Sequence, residues 1–337
     1  MNQTETIPGR IAAPEPTVQI SAPAMPKWRE LAKALVEVSK PGITRMVTIT
    51  SLCGFVLAGS TRTWGVSELV IALLACAVGT ALSAAGSNAL NQWMERERDA
   101  AMHRTSRRPI PDGRASAGVI LGAGTLMIVA GCGVLAAFSG IVPALVALVC
   151  AVSYLAVYTP LKPVTTFATY VGAIPGALPP MIGWTAAAAS SQLGVSGQWE
   201  ALMSPGSVVL FAIMFAWQIP HFLAIAWMHK EDYAKGGYRV LSVVDPTGTT
   251  TSVVSALWTV ALLALTLTPP LAMPESVGLP YIVVAVVSGF AFAWCVVRQV
   301  RERTRGAAKR VFFASIIHMP LVFGALVIEA LVRAALR

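Results

Sequence analysis

The chain has 337 residues, 55% of them hydrophobic and only 12% charged, about half the charged share of a soluble domain, which excludes an ordinary water-soluble globule. A net charge of +9 would suit nucleic acid, but the cations crowd into short segments between apolar runs, where membrane topology accounts for them. Cys53, Cys76, Cys132, Cys150 and Cys295 all lie inside apolar runs, without CxxC or Cys/His clustering, which excludes a disulfide framework or a thiolate metal site.

Taken in chain order, residues 1 to 38 form a polar arm. Pro8, Pro14, Pro16, Pro23 and Pro26 stand among small polar residues, the composition of a disordered segment. No apolar core follows a basic start, as a signal peptide would require, and Glu5 and Glu15 argue against a transit peptide. From Lys27, Trp28, Leu31, Leu35 and Val38 share one helical face while Arg29, Glu30, Lys33 and Glu37 fall elsewhere, so a short amphipathic helix is expected on the inner leaflet.

Residues 39 to 337 are expected to form an all-α integral membrane bundle of about nine spans: 43 to 60, 67 to 90, 116 to 138, 141 to 158, 166 to 187, 205 to 228, 252 to 270, 279 to 298 and 311 to 332. Each run can cross a hydrocarbon core of roughly 30 Å at about 1.5 Å per residue, and lipid leaves helices as the only way to satisfy unalternating backbone. Segments 91 to 115, 159 to 165, 229 to 251 and 299 to 310, with the arm, hold nearly all of the 25 cations. Only Arg62, Arg333 and Arg337 fall on the other side. The positive-inside rule then puts the N-terminus in the cytoplasm and the C-terminus in the periplasm of a bacterial inner membrane.

Polarity beyond what topology requires follows the second span. Asn91, Glu95 and Asp99 are four apart, so a continuing helix turns each only about 40° from the last and aligns three oxygen-bearing side chains. Such a row suits Mg²⁺, which takes one or two carboxylates and completes its shell with water and phosphate. Arg104, Arg107 and Arg108 follow at once, and the planar guanidinium suits phosphate oxygens. Topology explains the arginines but not the aligned oxygens.

The spacing Asn91-x-x-x-Glu95-x-x-x-Asp99, then Met102-x-Arg104-Thr105-x-x-Arg108-Pro109, resembles the first acidic motif of the UbiA superfamily of intramembrane prenyltransferases. The likeness extends through Lys40-Pro41, Tyr158-Thr159-Pro160-x-Lys162, the Gly172 to Gly183 segment, Trp217-Gln218-Ile219-Pro220-His221-Phe222 and Glu231-Asp232-Tyr233-x-x-Gly236-Gly237-Tyr238. Residues 1 to 38 lie outside it. The superfamily usually has aspartate where this chain has Glu95. Its second acidic motif, a pair of aspartates four apart, is reduced here to Glu231 and Asp232, with Met228 at the earlier place. That weakened pair is closer to the haem-farnesylating branch than to the quinone-forming ones.

The resemblance implies farnesyl diphosphate as donor, haem b as acceptor, an active site on the cytoplasmic side of the bilayer and, as protein partners, a haem A synthase or an oxidase-assembly factor. It implies Mg²⁺ on Asn91, Glu95, Asp99 and Asp232, with Arg104, Arg107, Arg108 and Lys162 as counter-charges for the diphosphate. Tyr158 and Tyr233 either orient phosphate or water or anchor the interface. His221 and His318 share a depth of roughly 10 Å below the interface, where ionisable groups are costly and normally functional, and imidazole is a common haem ligand. Either they contact haem or they make interhelical hydrogen bonds. The rival readings are a prenyltransferase with another aromatic acceptor and a non-catalytic transporter or haem handler. A transporter would carry charge near the midplane, which these spans lack.

Overall fold

A computed structural model describes residues 28–189 and 194–337. Residues 1 to 26, expected as a Pro-rich arm, fall outside the described residues. The described elements are helices: α1 (Trp28–Val38), α2 (Pro41–Gly59), α3 (Val66–Ala101), α4 (Ala117–Ser139), α5 (Ile141–Val152), a π turn (Ser153–Tyr158), α6 (Thr159–Leu161), α7 (Ala168–Ala177), α8 (Pro179–Ala189), α9 (Val195–Leu202), α10 (Pro205–Met228), α11 (Lys230–Lys235), α12 (Leu241–Val244), α13 (Thr249–Leu265), α14 (Pro269–Ala272), α15 (Leu279–Glu302) and α16 (Arg305–Ala335).

Among the described residues, seven helices are long and apolar enough to cross a membrane: α2, α3, α4, the composite Ile141–Leu161, α10, α15 and α16. Nine spans were expected, and the two others are built differently. The expected span 166 to 187 is two helices parted at Leu178, because Pro175 sits inside α7 and Pro179 and Pro180 open α8. Proline has no N–H to give the preceding turn, so carbonyls are freed where lipid offers no donor. A neighbouring helix supplies one of them: the Cys150 thiol donates to Pro175 O, left free by Pro179, at 3.1 Å, while Gln218 Nε2 of α10 donates to Ala173 O at 3.0 Å and ties α7 to α10. The expected span 252 to 270 is α13, only 17 residues, ended ahead of Pro269 and Pro270.

Small residues bring the helices close, as packing in lipid requires. A Cβ on Gly183 would stand 1.6 Å from Ser51 O, and one on Gly131 would stand 2.6 Å from Gly79 O; these contacts set the α2–α8 and α3–α4 spacing. The core runs between α10, α15 and α16 through Leu210, Ile213, Tyr281, Phe292 and Leu326. Outward, Leu126, Val260, Val287, Phe290 and Ile328 are exposed, an apolar rim fit for lipid. In α1, Ala34 and Val38, with Leu31 and Leu35, pack against Ala89, Ala115 and Ile120 of the bundle. Only Trp28, 74% exposed, keeps the outward aspect expected of the whole face.

The connections sort to two ends. Lys40, Arg108, Lys162 and the 229–248 connection meet the end of α3 that carries the polar row. At the other end Arg62 pairs with Glu68, Arg333 with Glu329 and Arg337 with Glu275.

Candidate active site

Helix α3 continues for 36 residues, about 54 Å, past the end of its apolar stretch. Asn91, Glu95 and Asp99 therefore stack along one side, and they are only 1%, 7% and 1% exposed. Burying such groups is costly unless each is paired. Each is: Lys40 Nζ donates to Asn91 Oδ1 at 2.9 Å, Lys162 Nζ to Glu95 Oε1 at 2.8 Å and Arg108 Nη1 to Asp99 Oδ2 at 2.6 Å. Asn91 Nδ2 donates to Thr159 Oγ1 at 3.1 Å. Asp99 Oδ1 is buried with no partner.

Local backbone irregularities deliver these partners. Lys40 is in the left-handed region at φ 47°, an uncommon place for a residue before proline; this turn carries its side chain to Asn91. Pro160 cannot donate a backbone hydrogen bond. Just before it the chain widens into a π turn, with Thr159 N–H bonded to Tyr154 O. Such turns often mark functional sites, and here the turn sets Thr159 on Asn91 and Lys162 on Glu95. Lys162 Nζ lies 4.5 Å from the Tyr158 ring centroid and 5.9 Å from that of Tyr238.

The connection after α10 closes over the row. Gly237, at φ +67°, turns the chain where Arg98 Nη1 holds Gly236 O at 2.9 Å, and Arg239 N–H donates to Lys162 O at 3.0 Å. Tyr238 is thereby buried, 4% exposed, with its hydroxyl against Glu95. Burial, with Glu95 adding to it, pushes this phenol above the ordinary tyrosine range. Burial pulls the Lys162 ammonium down, but Tyr158, Glu95, Tyr154 and Tyr238 outweigh it and hold Lys162 well above the usual lysine range. Lys40 goes the other way, to about 7, because burial and the nearby Arg108 and Lys162 charges prevail over Glu95 and Asp99.

The other expected residues lie farther out. Arg104 is exposed and sits 6.0 Å from the Tyr233 ring centroid. Arg107 is exposed, and its carbonyl accepts from Arg114 Nη2 at 2.6 Å. Asp232, in α11, is half-buried. Among the described residues no hydrogen bond or ion pair joins its side chain to the row. Sequence reasoning missed Lys40, Thr159 and Tyr238 as site members. Lys40-Pro41 and Gly236-Gly237-Tyr238 were visible as motifs, but only the fold brings them to α3.

The histidines occupy separate settings, His221 on α10 and His318 on α16. His221 Nδ1 is 2.7 Å from Ser315 Oγ, and its ring stacks between Trp217 at 4.7 Å and Phe312 at 5.2 Å. His318, 1% exposed, is 2.9 Å from Ser288 Oγ through Nδ1 and stacks on Phe292 at 5.6 Å, with Nε2 buried and unpartnered.

Among the described residues no three His, Cys, Asp or Glu side chains could cage a metal alone. Asn91, Glu95 and Asp99 instead offer an amide oxygen and two carboxylates, with one carboxylate oxygen unpartnered. This sparse oxygen set fits a hard cation that completes its shell with water and phosphate.

A bundle of apolar helices that ends in a buried row of oxygens faced by three cations is built to handle an anionic headgroup on an apolar tail. Residues 47–317 match the UbiA prenyltransferase family, and the chain belongs to that family. It is similar to the protoheme IX farnesyltransferases of Solibacter usitatus, 38% identical over 87% of this chain and 97% of the relative, and of an Anaeromyxobacter species, 40% identical over 92% and 98%. Among solved structures, it resembles one of a digeranylgeranylglyceryl phosphate synthase with a TM-score of 0.70 at 15% identity, over 90% of this chain and 99% of that one. A UbiA homologue from Aeropyrum pernix K1 gives 0.63 at 17%, over 83% and 96%. At such identities the structural likeness concerns the fold.

Proposed function

We propose that the chain transfers the farnesyl group of farnesyl diphosphate to a vinyl group of haem b, with addition of water, to give haem O. The buried row Asn91, Glu95 and Asp99, set against Lys40, Lys162 and Arg108 at one end of an apolar bundle, carries the transferase chemistry. The full-length similarity to protoheme IX farnesyltransferases carries the acceptor.

The reaction breaks the bond between the allylic carbon and the diphosphate oxygen. A vinyl carbon of haem b then bonds to that carbon, and water adds its hydroxyl beside the pyrrole and releases a proton. Asn91, Glu95 and Asp99 would hold Mg²⁺, with Asp232 on the covering connection as a further carboxylate; the bound ion supplies positive charge against the departing diphosphate. Lys162 and Arg108, with Lys40, hold the same oxygens as charge develops on them, and Arg104 and Arg107 draw the diphosphate in from outside. Tyr158 and Tyr238 keep Lys162 in place. The apolar bundle holds the farnesyl tail and shields the developing cation from premature attack by water. His221 and His318 are the groups for the haem, His221 through the nitrogen that Ser315 leaves free.

The cation distribution supports a cytoplasmic site, with the N-terminus inside and the C-terminus outside an inner membrane crossed nine times, the broken pair α7–α8 and the short α13 each counting as one crossing. The product would pass to a haem A synthase or an oxidase-assembly factor. Haem extracted from membranes with and without this chain, compared by mass spectrometry, tests the function. A hydroxyethylfarnesyl haem that needs the chain supports it; unchanged haem b in both refutes it.

A further inference from the structure

At the end of the bundle that carries the polar row, α10 stops at Met228 and α16 starts at Arg305. Between them lies a cleft of about 480 Å³ lined by Met228, His229, Arg305, Lys309, Phe312 and Phe313. That volume falls in the range of small-molecule sites, roughly 300–1,000 Å³. Two aromatic rings and a thioether make its wall, and two cations stand at its rim. Lys309 Nζ lies 5.8 Å from the Phe313 ring centroid.

Positive-inside topology explains cations at this end but not their state of pairing. Arg298 and Arg310, close by, both pair with Glu302. Arg305 and Lys309 have no ion pair among the described residues, so the cleft presents two unneutralised charges over an aromatic surface. It is also continuous with a feature already described: Phe312, one of its walls, stacks on His221 at 5.2 Å, and His221 in turn on Trp217. At its mouth, His229 is held below the ordinary histidine range by partial burial and by Arg104 and Arg305, with Asp232 opposing. Asp232 follows His229 in the chain and Arg104 lies 6.0 Å from the Tyr233 ring centroid, so the connection that begins at the mouth of the cleft leads to the cover over the polar row.

We propose that this cleft seats the porphyrin acceptor, its apolar ring against Met228, Phe312 and Phe313 and its two propionate carboxylates on Arg305 and Lys309. The proposal rests on the reading of haem b as substrate and adds residues outside the row. A haem has both halves of the needed chemistry, a rigid flat apolar face and two anionic groups on one edge, which cationic side chains hold by charge-assisted hydrogen bonds. A lipid headgroup has the charge but no ring to fill the space between the phenylalanines.

The test uses the full chain in phosphatidylcholine nanodiscs, titrated with haem b and with haem b dimethyl ester, whose propionates are uncharged. In Arg305→Gln/Lys309→Gln, haem b affinity should fall roughly ten- to hundredfold, while ester binding, farnesyl diphosphate binding and the melting temperature stay as in the wild type. Phe312→Ala should weaken haem b and ester alike. Unchanged haem affinity in the double variant, or ester bound by the wild type as tightly as haem b, would overturn the proposal. So would native mass spectra of protein purified with its own membrane lipids in which the double variant differs from the wild type only by loss of bound phosphatidylglycerol. If the wild type makes farnesylated haem while the double variant binds haem normally, the cleft assignment fails and the acceptor reading stands. If the wild type makes none, the acceptor reading itself has failed.

Discussion

Each polar residue of the α3 row is tied to a cation from a different part of the chain: Lys40 ahead of α2, Arg108 after α3 and Lys162 after the π turn. The row and the arginines could be read from sequence because both are local, one as a four-residue spacing and the other as a run. Lys40 could not, because its approach to Asn91 depends on a left-handed backbone and on the packing of α2 against α3. Replacing Asn91 with Ala, Glu95 with Gln or Asp99 with Asn should lower turnover by about a hundredfold or more while the protein still inserts and extracts as a folded monodisperse species. Steady-state kinetics across a Mg²⁺ titration check this, and normal activity in Asp99→Asn would remove the row from the chemistry. Lys40→Met should leave that magnesium dependence in place but weaken farnesyl diphosphate binding by roughly tenfold, measured by equilibrium titration.

Elements deviate from regular helix where prolines and glycines intervene, and these deviations are what hydropathy could not show. The fourth span was expected as one plain helix, yet its last turns widen into a π turn ahead of Pro160 and thereby aim Thr159 and Lys162. The fifth was expected whole and is broken at Leu178. Gly172 on α7 leaves room for that π turn, since a Cβ there would come 2.5 Å from the Tyr158 ring. Gly172→Ala should cost about 1–3 kcal/mol of stability and slow turnover by displacing Tyr158 and Lys162. Gly133→Ala, with nothing within 4 Å of the added carbon, should change neither, and thermal melts with parallel assays compare the two. The start of α13 depends on Asp245, whose carboxylate accepts from the Thr251 N–H at 2.8 Å and hydroxyl at 2.9 Å and from the Gly248 N–H at 3.1 Å. Burial pushes this carboxyl up, but these hydrogen bonds and that of Thr247 prevail and hold it below 3.8. A depressed folded-state pKa means stability that is fully present above the unfolded value and lost as pH falls through the folded one. Asp245→Asn should therefore destabilise at neutral pH, by about 1–3 kcal/mol, and the gap to wild type should close as pH drops below 3.8; a gap constant with pH would assign the loss to packing.

The whole molecule has two dissimilar ends, one dense in cations and one where Arg62, Arg333 and Arg337 each pair with a carboxylate, and this asymmetry was legible because positive charge in short loops is set by insertion, not by packing. Cysteines placed at His103 and Lys235, in a cysteine-free background, should react with an impermeant reagent from the cytoplasm, and one at Ser196 from the far side. Labelling of positions 103 and 196 from the same side would overturn the topology. How the connections close over the row was not legible, because Tyr238 reaches Glu95 only through the turn at Gly237 and the hold of Arg98. Helix α3 has one further consequence, which follows from its length. Its apolar stretch from Leu69 to Leu90 measures about 33 Å, and the row begins at the next residue, on the same unbroken rod that the α3–α4 glycines lock to its neighbour. The height of the chemistry above the acyl chains is thus fixed by the protein while the height of the lipid surface is not. Hydrophobic mismatch would then act on the site directly: thinner bilayers lift the row clear of the headgroups where a membrane-dissolved prenyl donor presents its diphosphate, and thicker ones draw it under. Activity in vesicles of graded acyl-chain length should pass through a maximum, which makes the thickness of the host membrane a regulator of this enzyme.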